Sequence, residues 1–167
     1  MVFVGINPGT YSASAGHYYA RRANKFWELL SNSGLVSRKL DCEDDASLPK
    51  WSIGLTDVVK RPTASANKLT RGDYRKAVPA LLEKLRQYQP RVVAFNGKTG
   101  YRNFRRAIGY GSEGRIRLGK QTDLLEGAEV FVLPSTSPAN ARLSPRQKLA
   151  YFRRLAERVR AQSNGIK

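Results

Sequence analysis

Short apolar runs alternate along this chain with longer segments in which apolar residues recur at helical spacing. Residues 2–4, 52–59, 92–95 and 129–133 are runs of the length of buried strands. Helical spacing or flanking stop signals mark the segment between the cap candidate Asn24 and Gly34 and the segments 73–88, 98–108 and 144–161. Strands that alternate with helices predict a single three-layer α/β/α domain with a central, mostly parallel sheet.

The segments between these elements are less regular. The glycine-rich stretch 109–119 is expected to be irregular or hairpin-like, and residues 10–16 to form a polar loop. The acidic stretch 41–49 is expected to be a solvated turn or short helix that faces away from any polyanionic partner. No repeat, low-complexity tract or linker divides the chain, so residues 1–167 are predicted to form one domain.

Three loops follow predicted strands and belong at one edge of the sheet. They begin after Ile6, after residue 59 and after Leu133. In parallel α/β sheets, ligands bind beyond the carboxyl ends of the strands, so these loops are expected to line one crevice. Asn7 leaves the first strand in the turn Gly5-Ile6-Asn7-Pro8-Gly9 and is the first candidate for a functional side chain. The alternative is an ordinary turn asparagine before a proline.

The amino-acid composition indicates that the protein binds a polyanion. Of the 167 residues, 41% are hydrophobic and 10% aromatic, which argues against wholesale disorder. The 30 basic residues outnumber the 13 acidic ones and give a net charge of +17. Nucleic acid is the partner that this charge favours, although ribosomal and membrane-surface proteins share it. Basic residues are densest in segments 98–120 and 142–160.

The cysteine and histidine content limits which disulfide bonds and metal sites can be expected. With one cysteine, Cys42, and one histidine, His17, neither an internal disulfide nor a zinc site of the usual composition is expected. No cofactor is predicted. The chain has no apolar stretch of membrane-spanning length and no signal peptide, so we expect a soluble, intracellular protein, cytoplasmic at the nucleoid in a bacterium or nuclear in a eukaryote.

Two loops carry a family resemblance. Gly5-Ile6-Asn7-Pro8-Gly9 and Leu133-Pro134-Ser135-Thr136-Ser137-Pro138 resemble the two signature loops of the uracil-DNA glycosylase superfamily, and the chain is most similar to its mismatch-specific uracil/thymine-DNA glycosylase (MUG/TDG) branch. Further blocks resemble that branch in the expected order, so that the resemblance covers nearly the whole chain. These blocks are residues 16–19, 24–27, 54–63, 88–90, 95–98 and 119–122.

The resemblance implies a monofunctional enzyme that excises uracil from duplex DNA, chiefly opposite guanine, and so starts base excision repair. Thymine and modified pyrimidines are left open as substrates. The target base is flipped out of the helix and water attacks its N-glycosidic bond. The implied partners are G:U-mismatched DNA and abasic-site repair enzymes, with no membrane, and the protein is expected to be a monomer. Two alternatives are a non-catalytic nucleic-acid-binding domain and another uracil-glycosylase branch; iron–sulfur branches need four cysteines.

The resemblance assigns roles to residues of the first loop. Asn7 matches the asparagine that orients the attacking water, while Ile6 and the backbone near Gly9 match the wall of the base pocket. Tyr19 matches the aromatic residue that stacks on the flipped base. Its alternative is a plain core or surface tyrosine. Ser12 matches a position near carbon 5 of the pyrimidine, or is a solvated loop serine.

Asp57 departs from the family pattern. It places a charge in an apolar strand where well-known relatives carry lysine or asparagine. We hypothesise that its carboxylate reaches the crevice and polarises the water or stabilises the cationic sugar. The alternative is an ion pair with Lys60 or Arg61. The neighbouring Thr56 matches a threonine that helps to hold the water in some relatives.

The loop 135–142 resembles the segment that enters the duplex. Its serines, Ser135 and Ser137, are expected to contact phosphates, and Pro138 belongs to the same DNA-binding loop. The wedge position falls on Ala139, where relatives use leucine or arginine, and a methyl group fills a vacated stack poorly. That leaves Asn140 or Arg142 to substitute, unless Arg142 is one more surface charge. His17 is assigned either to a phosphate or loop-backbone contact or to a structural role.

Overall fold

The structure is a computed structural model that describes residues 1–110 and 116–164. Its centre is a five-stranded sheet in the order β2-β1-β3-β5-β4. All neighbouring strands are parallel except β4, which runs antiparallel to β5. The strands are β1 (Val2–Gly5), β2 (Gly54–Asp57), β3 (Val92–Asn96), β4 (Gly119–Leu125) and β5 (Ala128–Leu133).

In the described parts of the chain, five α-helices connect or follow these strands. They are α1 (Thr10–Ala15), α2 (Phe26–Ser33), α3 (Arg71–Tyr88), α4 (Lys98–Ala107) and α5 (Pro145–Asn164), with 3₁₀ helices at Cys42–Trp51 and Ala66–Lys68. The ends of the helices carry ordinary signals. Thr70 and Asp73 form a reciprocal capping box at the start of α3, and Gly34 ends α2 at a φ of 86°.

Helices cover both faces of the sheet. One face packs Phe3 and Phe131 against Phe26 of α2 and Phe152 of α5. The other packs the remaining inward side chains of the strands against α3 and α4, through residues such as Val78 and Phe104. Apolar runs that are buried on both sides are typical of parallel strands. The predicted three-layer α/β architecture is confirmed.

Two elements differ from the sequence prediction. Residues 10–15, expected as a loop, form the short helix α1, which Gly16 ends at a φ of 74°. β4 was not predicted because its side chains alternate between half-buried and exposed, so it lacks an apolar run. A tight turn at Glu126 and Gly127, both with positive φ, joins it to β5. Within segment 109–119, residues 111–115 lie outside the described residues.

Among the described residues, no helix combines the length and apolarity that crossing a lipid bilayer requires.

Candidate active site

The three predicted loops meet at the carboxyl edge of β1, β2 and β5. They line a crevice of about 570 Å³ together with the end of β3. This volume lies in the range of small-molecule sites. Ile6, Gly9, Ser12 and Tyr19 all belong to its wall, and Ile6 also packs closely against Gly100 of α4.

Asn7 is fixed in one orientation at the mouth of this crevice. Its Nδ2 donates to the carbonyl of Arg61 at 2.9 Å and to the hydroxyl of Thr63 at 2.8 Å. The Thr63 hydroxyl in turn donates to the carbonyl of Ser65 at 2.8 Å. Because a carbonyl can only accept, the nitrogen of the amide must face Arg61. Both amide hydrogens are therefore used, and Oδ1 is left to accept a hydrogen bond from water or substrate.

The backbone holds the first two loops against each other. Thr63 N donates to the carbonyl of Pro8 at 3.1 Å, and Thr10 N donates to the carbonyl of Thr63 at 3.2 Å. The position of Thr63 relative to Asn7 is therefore set by two main-chain bonds to the residues that directly follow the asparagine.

Asp57 reaches the crevice from the last position of β2. It is only 5% exposed and lies opposite Gly5 of β1. A Cβ placed on Gly5 would collide with Asp57 Oδ1, so the carboxylate lies directly over the end of β1. Burial raises the pKa of Asp57 to about 6, and the positive charge of Lys60 opposes that rise.

The alternative of an Asp57 ion pair does not fit these contacts. Arg61 pairs with Asp73 at 3.0 Å, and Lys60 Nζ donates to the hydroxyl of Thr56 at 2.8 Å. Among the described residues, none donates a hydrogen bond to the Asp57 carboxylate. Lys60 therefore acts on Asp57 through its field and not through a direct bond.

Thr56 is placed differently from the expectation. Successive side chains of a strand point to opposite faces, so Thr56 and Asp57 cannot both enter the crevice. Asp57 enters it, whereas Thr56 lies outside the crevice wall, with its hydroxyl on Lys60. The hydroxyl that contacts Asn7 belongs to Thr63 instead.

Tyr19 is held firmly in the wall of the crevice. Its backbone has a φ of 53°, which is unfavourable for a bulky residue, and its ring stacks on Phe26 at a centroid distance of 4.1 Å. Hydrogen bonds fix the chain on both sides. The carbonyl of Tyr18 accepts from Trp27 Nε1 at 3.0 Å, and Ala20 N donates to Ser12 Oγ at 3.1 Å. The hydroxyl of Ser12 thus supports the loop as well as lining the crevice.

The acidic segment supports the same loop. Asp45 accepts from the backbone N–H of Tyr18 at 3.1 Å and lies 3.2 Å from His17 Nδ1. Asp45 is therefore not the plain solvated side chain expected of residues 41–49, because its side chain is only 14% exposed and binds the loop that lines the crevice. His17 lines the crevice and contacts a carboxylate of the protein.

The third loop is tied to the end of β3. Asn96 Nδ2 donates to the Thr136 hydroxyl at 2.9 Å, and Thr136 N donates back to Asn96 Oδ1 at 3.1 Å. Beyond this anchor, Ser135 and Ser137 line the crevice, as do the exposed Pro138 and Ala139.

The rest of that loop lies farther out. The carbonyl of Asn140 accepts from the buried Lys148 of α5 at 2.7 Å. Arg142 is exposed and lies outside the crevice wall.

Sequence reasoning assigned no role to three residues that shape this site: Asp45, Thr63 and Asn96. Asn96 carries the same signal as Asn7, an amide that directly ends a buried apolar strand. Thr63 and Asp45 have no comparable signal, because their roles depend on contacts with residues that are 56 and 27 positions away.

The fold and the crevice together define an α/β protein with a polar site at the carboxyl edge of its sheet. A family model described as the uracil DNA glycosylase superfamily matches residues 1–160. The chain belongs to the uracil-DNA glycosylase superfamily. Membership supports a DNA glycosylase that acts on uracil, and it implies DNA as the substrate.

Proposed function

We propose that this chain, as one catalytic domain of residues 1–167, is a mismatch-specific glycosylase of the MUG/TDG branch. It excises uracil from duplex DNA, chiefly opposite guanine, with thymine and modified pyrimidines as further candidates. The observation that carries the proposal is the fixed amide of Asn7, whose Oδ1 is left to accept a hydrogen bond at the mouth of the crevice.

The target nucleotide leaves the helix and its base enters the crevice. The ring of Tyr19, rigid because of its stacking on Phe26, offers a planar wall for the base. The bond between C1′ and the base nitrogen breaks, and its electron pair leaves with the base. The sugar becomes cationic at this stage, as in other glycosyl transfers.

Water then adds to C1′. Asn7 Oδ1 accepts a hydrogen bond from this water and so aims its oxygen at C1′. The ionised Asp57 carboxylate stabilises the cationic sugar and accepts the proton that the water loses. The proton passes on to the departed base, so that the products are neutral base and an abasic site with an intact backbone. Abasic-site repair enzymes would act on that product.

The charge of the protein supports a duplex substrate. The net charge of +17 favours phosphate contacts, for which Ser135, Ser137 and Arg142 are the candidates beside the crevice. Pro138, Ala139 and Asn140 complete the loop that we assign to the DNA. Ile6, Gly9 and Ser12 are assigned to the base pocket.

The test is a glycosylase assay on oligonucleotides that carry U opposite G, U opposite A, T opposite G, or U in a single strand. Alkaline cleavage reveals abasic sites. We expect the highest single-turnover rate on U opposite G. Binding to DNA without abasic product from any substrate would favour the non-catalytic alternative, and equal rates on all uracil substrates would favour another branch.

Asn7→Ala provides the residue-level test. Its single-turnover rate should fall by roughly 10²- to 10³-fold, while fluorescence anisotropy shows unchanged DNA affinity. Asn67→Ala is the matched control, since Asn67 also lines the crevice but its side chain is exposed. A fully active Asn7→Ala enzyme would refute the assigned role.

A further inference from the structure

Lys148, near the start of α5, is a buried lysine without an acidic partner. It is only 6% exposed. Lysine side chains normally keep the ammonium group in water, and a buried charge is costly unless it is paired. Among the described residues, none forms an ion pair with Lys148, and burial alone lowers the pKa of its ammonium group. The fold gains little stability from such a lysine, which points to another role.

The ammonium group of Lys148 binds the main chain of the loop 135–142. Its Nζ donates to the carbonyl of Asn140 at 2.7 Å. The N–H of Asn140 donates to the carbonyl of Ser137 at 3.0 Å, which closes a four-residue turn with Pro138 and Ala139 at its tip. The main chain of Asn140 is thus held on both sides, and one of the two bonds is strengthened by a charge.

The other end of this turn has a separate anchor. Thr136 is fully buried and exchanges two hydrogen bonds with the side chain of Asn96, and its carbonyl accepts from Lys25 N at 3.0 Å. In the part of the chain that the structure describes, no side chain from outside the loop except Lys148 forms a hydrogen bond with residues 138–142. The far side of the turn therefore depends on Lys148.

We propose that Lys148 is a positioning residue for the bound duplex: its ammonium group, through the carbonyl of Asn140, holds the turn 137–140 in the shape that enters the DNA. This inference rests on the proposed function where it concerns the DNA. The hold on the turn is a property of the free protein and can be measured there.

Lys148→Met tests the proposal because it removes the ammonium group and keeps a side chain of similar length. In the free protein, amide hydrogen exchange at Asn140 should become about 10-fold faster, the worth of one hydrogen bond to a charged group. Exchange at Thr136, which Asn96 holds, should stay unchanged. The free energy of unfolding should not fall, because the variant no longer buries an unpaired charge.

The same variant should separate the two kinds of DNA substrate. The single-turnover rate on U opposite G should fall by about 10-fold, because the turn no longer enters the duplex in one shape. The rate on single-stranded uracil should stay unchanged, since a single strand has no continuous stack for the turn to enter.

Arg146→Met is the matched control. Arg146 is exposed in the same turn of α5 and carries the same charge. Its replacement should leave the exchange at Asn140 in place and change the rates on the two substrates by the same factor, as expected for a loss of charge alone.

Unchanged exchange at Asn140 in Lys148→Met would overturn the proposal, as would an equal loss of rate on both substrates. A second measurement on the wild-type protein covers the case of a misfolded variant. Nitrogen-15 NMR should show a hydrogen-bond coupling between Lys148 Nζ and the carbonyl carbon of Asn140, and the absence of this coupling would also overturn the proposal. Because exchange and coupling are measured without DNA, they decide the hold on the turn even if the glycosylase assay yields no product.

Discussion

Gly5 and Asp57 face each other across the parallel pair of β1 and β2, and the Asp57 carboxylate occupies the space that a side chain on residue 5 would need. The carboxylate can lie over the end of β1, beside the turn that carries Asn7, only because residue 5 has no Cβ. Glycine is therefore favoured at position 5 for a steric reason: a side chain there would collide with Asp57 of the neighbouring strand β2.

Gly5→Ala should disturb this arrangement. The added methyl group collides with Asp57 Oδ1, so we expect a loss of about 1 to 3 kcal/mol in the free energy of unfolding and a lower single-turnover rate. Urea unfolding and the U:G assay measure the two effects. Gly54→Ala at the other end of β2 is the control, because its nearest contact would be Val2 Cγ2 at an ordinary 3.6 Å. Equal stability of the two variants would contradict the steric argument.

Asp57→Asn should stabilise the protein at neutral pH. The folded-state pKa of Asp57 is about 6 against an ordinary value of 3.8, so the folded protein holds this proton more tightly than the unfolded chain. The free energy of unfolding of the wild type therefore falls as the pH rises from about 4 to 6, and it stays at this lower value above pH 6.

The asparagine variant does not lose stability in this way, because its amide does not ionise. We expect it to exceed the wild type by about 2 to 3 kcal/mol at pH 8, with the advantage lost near pH 4, as measured by urea unfolding at both values. Asp73→Asn should instead be less stable than the wild type at pH 8. The Arg61 guanidinium lowers the pKa of Asp73, so the ionised Asp73 carboxyl stabilises the folded protein. A constant difference between Asp57→Asn and wild type across this pH range would refute the raised pKa.

The fold could be read from the sequence where one local signal decided the element. β1, β3 and β5 are runs buried on both faces, and α3 has a capping box and regular apolar spacing. β4 escaped prediction because it is an edge strand whose outward side chains remain in water. Its pairing with β5 depends on a turn at Glu126 and Gly127, which the pattern of apolar residues does not predict.

The candidate site was predictable at the level of loops and only partly at the level of contacts. The position of Asn7 follows from the end of a strand. The hydroxyl that holds Asn7 does not follow from the sequence. Strand alternation turns Thr56 away from the crevice, and a main-chain bridge between Gly9 and Thr63 brings the Thr63 hydroxyl to Asn7 instead. Likewise, acidic residues on a 3₁₀ helix look solvated in sequence, whereas Asp45 is bound beneath the loop that carries Tyr19.

Asp45→Ala should loosen that loop. The change removes the acceptor for the Tyr18 N–H and the partner of His17, so we expect the single-turnover rate to fall by about 5- to 10-fold, the worth of one net hydrogen bond. Amide hydrogen exchange at Tyr18 should become faster. Glu43→Ala removes the same charge from an exposed neighbour and serves as the control. If both variants lose activity equally, the effect is one of charge and not of loop support.

Ala139→Leu should improve activity on duplex DNA. Ala139 is exposed at the rim of the crevice, in the loop that we assign to the duplex, where its methyl group fills little of a vacated stack. A leucine there would bury more apolar surface between the neighbouring bases, so the single-turnover rate on U opposite G should rise by about 5-fold.

The single-stranded substrate separates this wedge effect from a general gain in binding. A single strand has no continuous stack to fill, so Ala139→Leu should leave the rate on single-stranded uracil unchanged. Ala141→Leu adds the same side chain at another exposed position of the loop and should change neither rate. If Ala139→Leu accelerated both substrates equally, the loop would act on the crevice itself, and another residue would have to hold the duplex open.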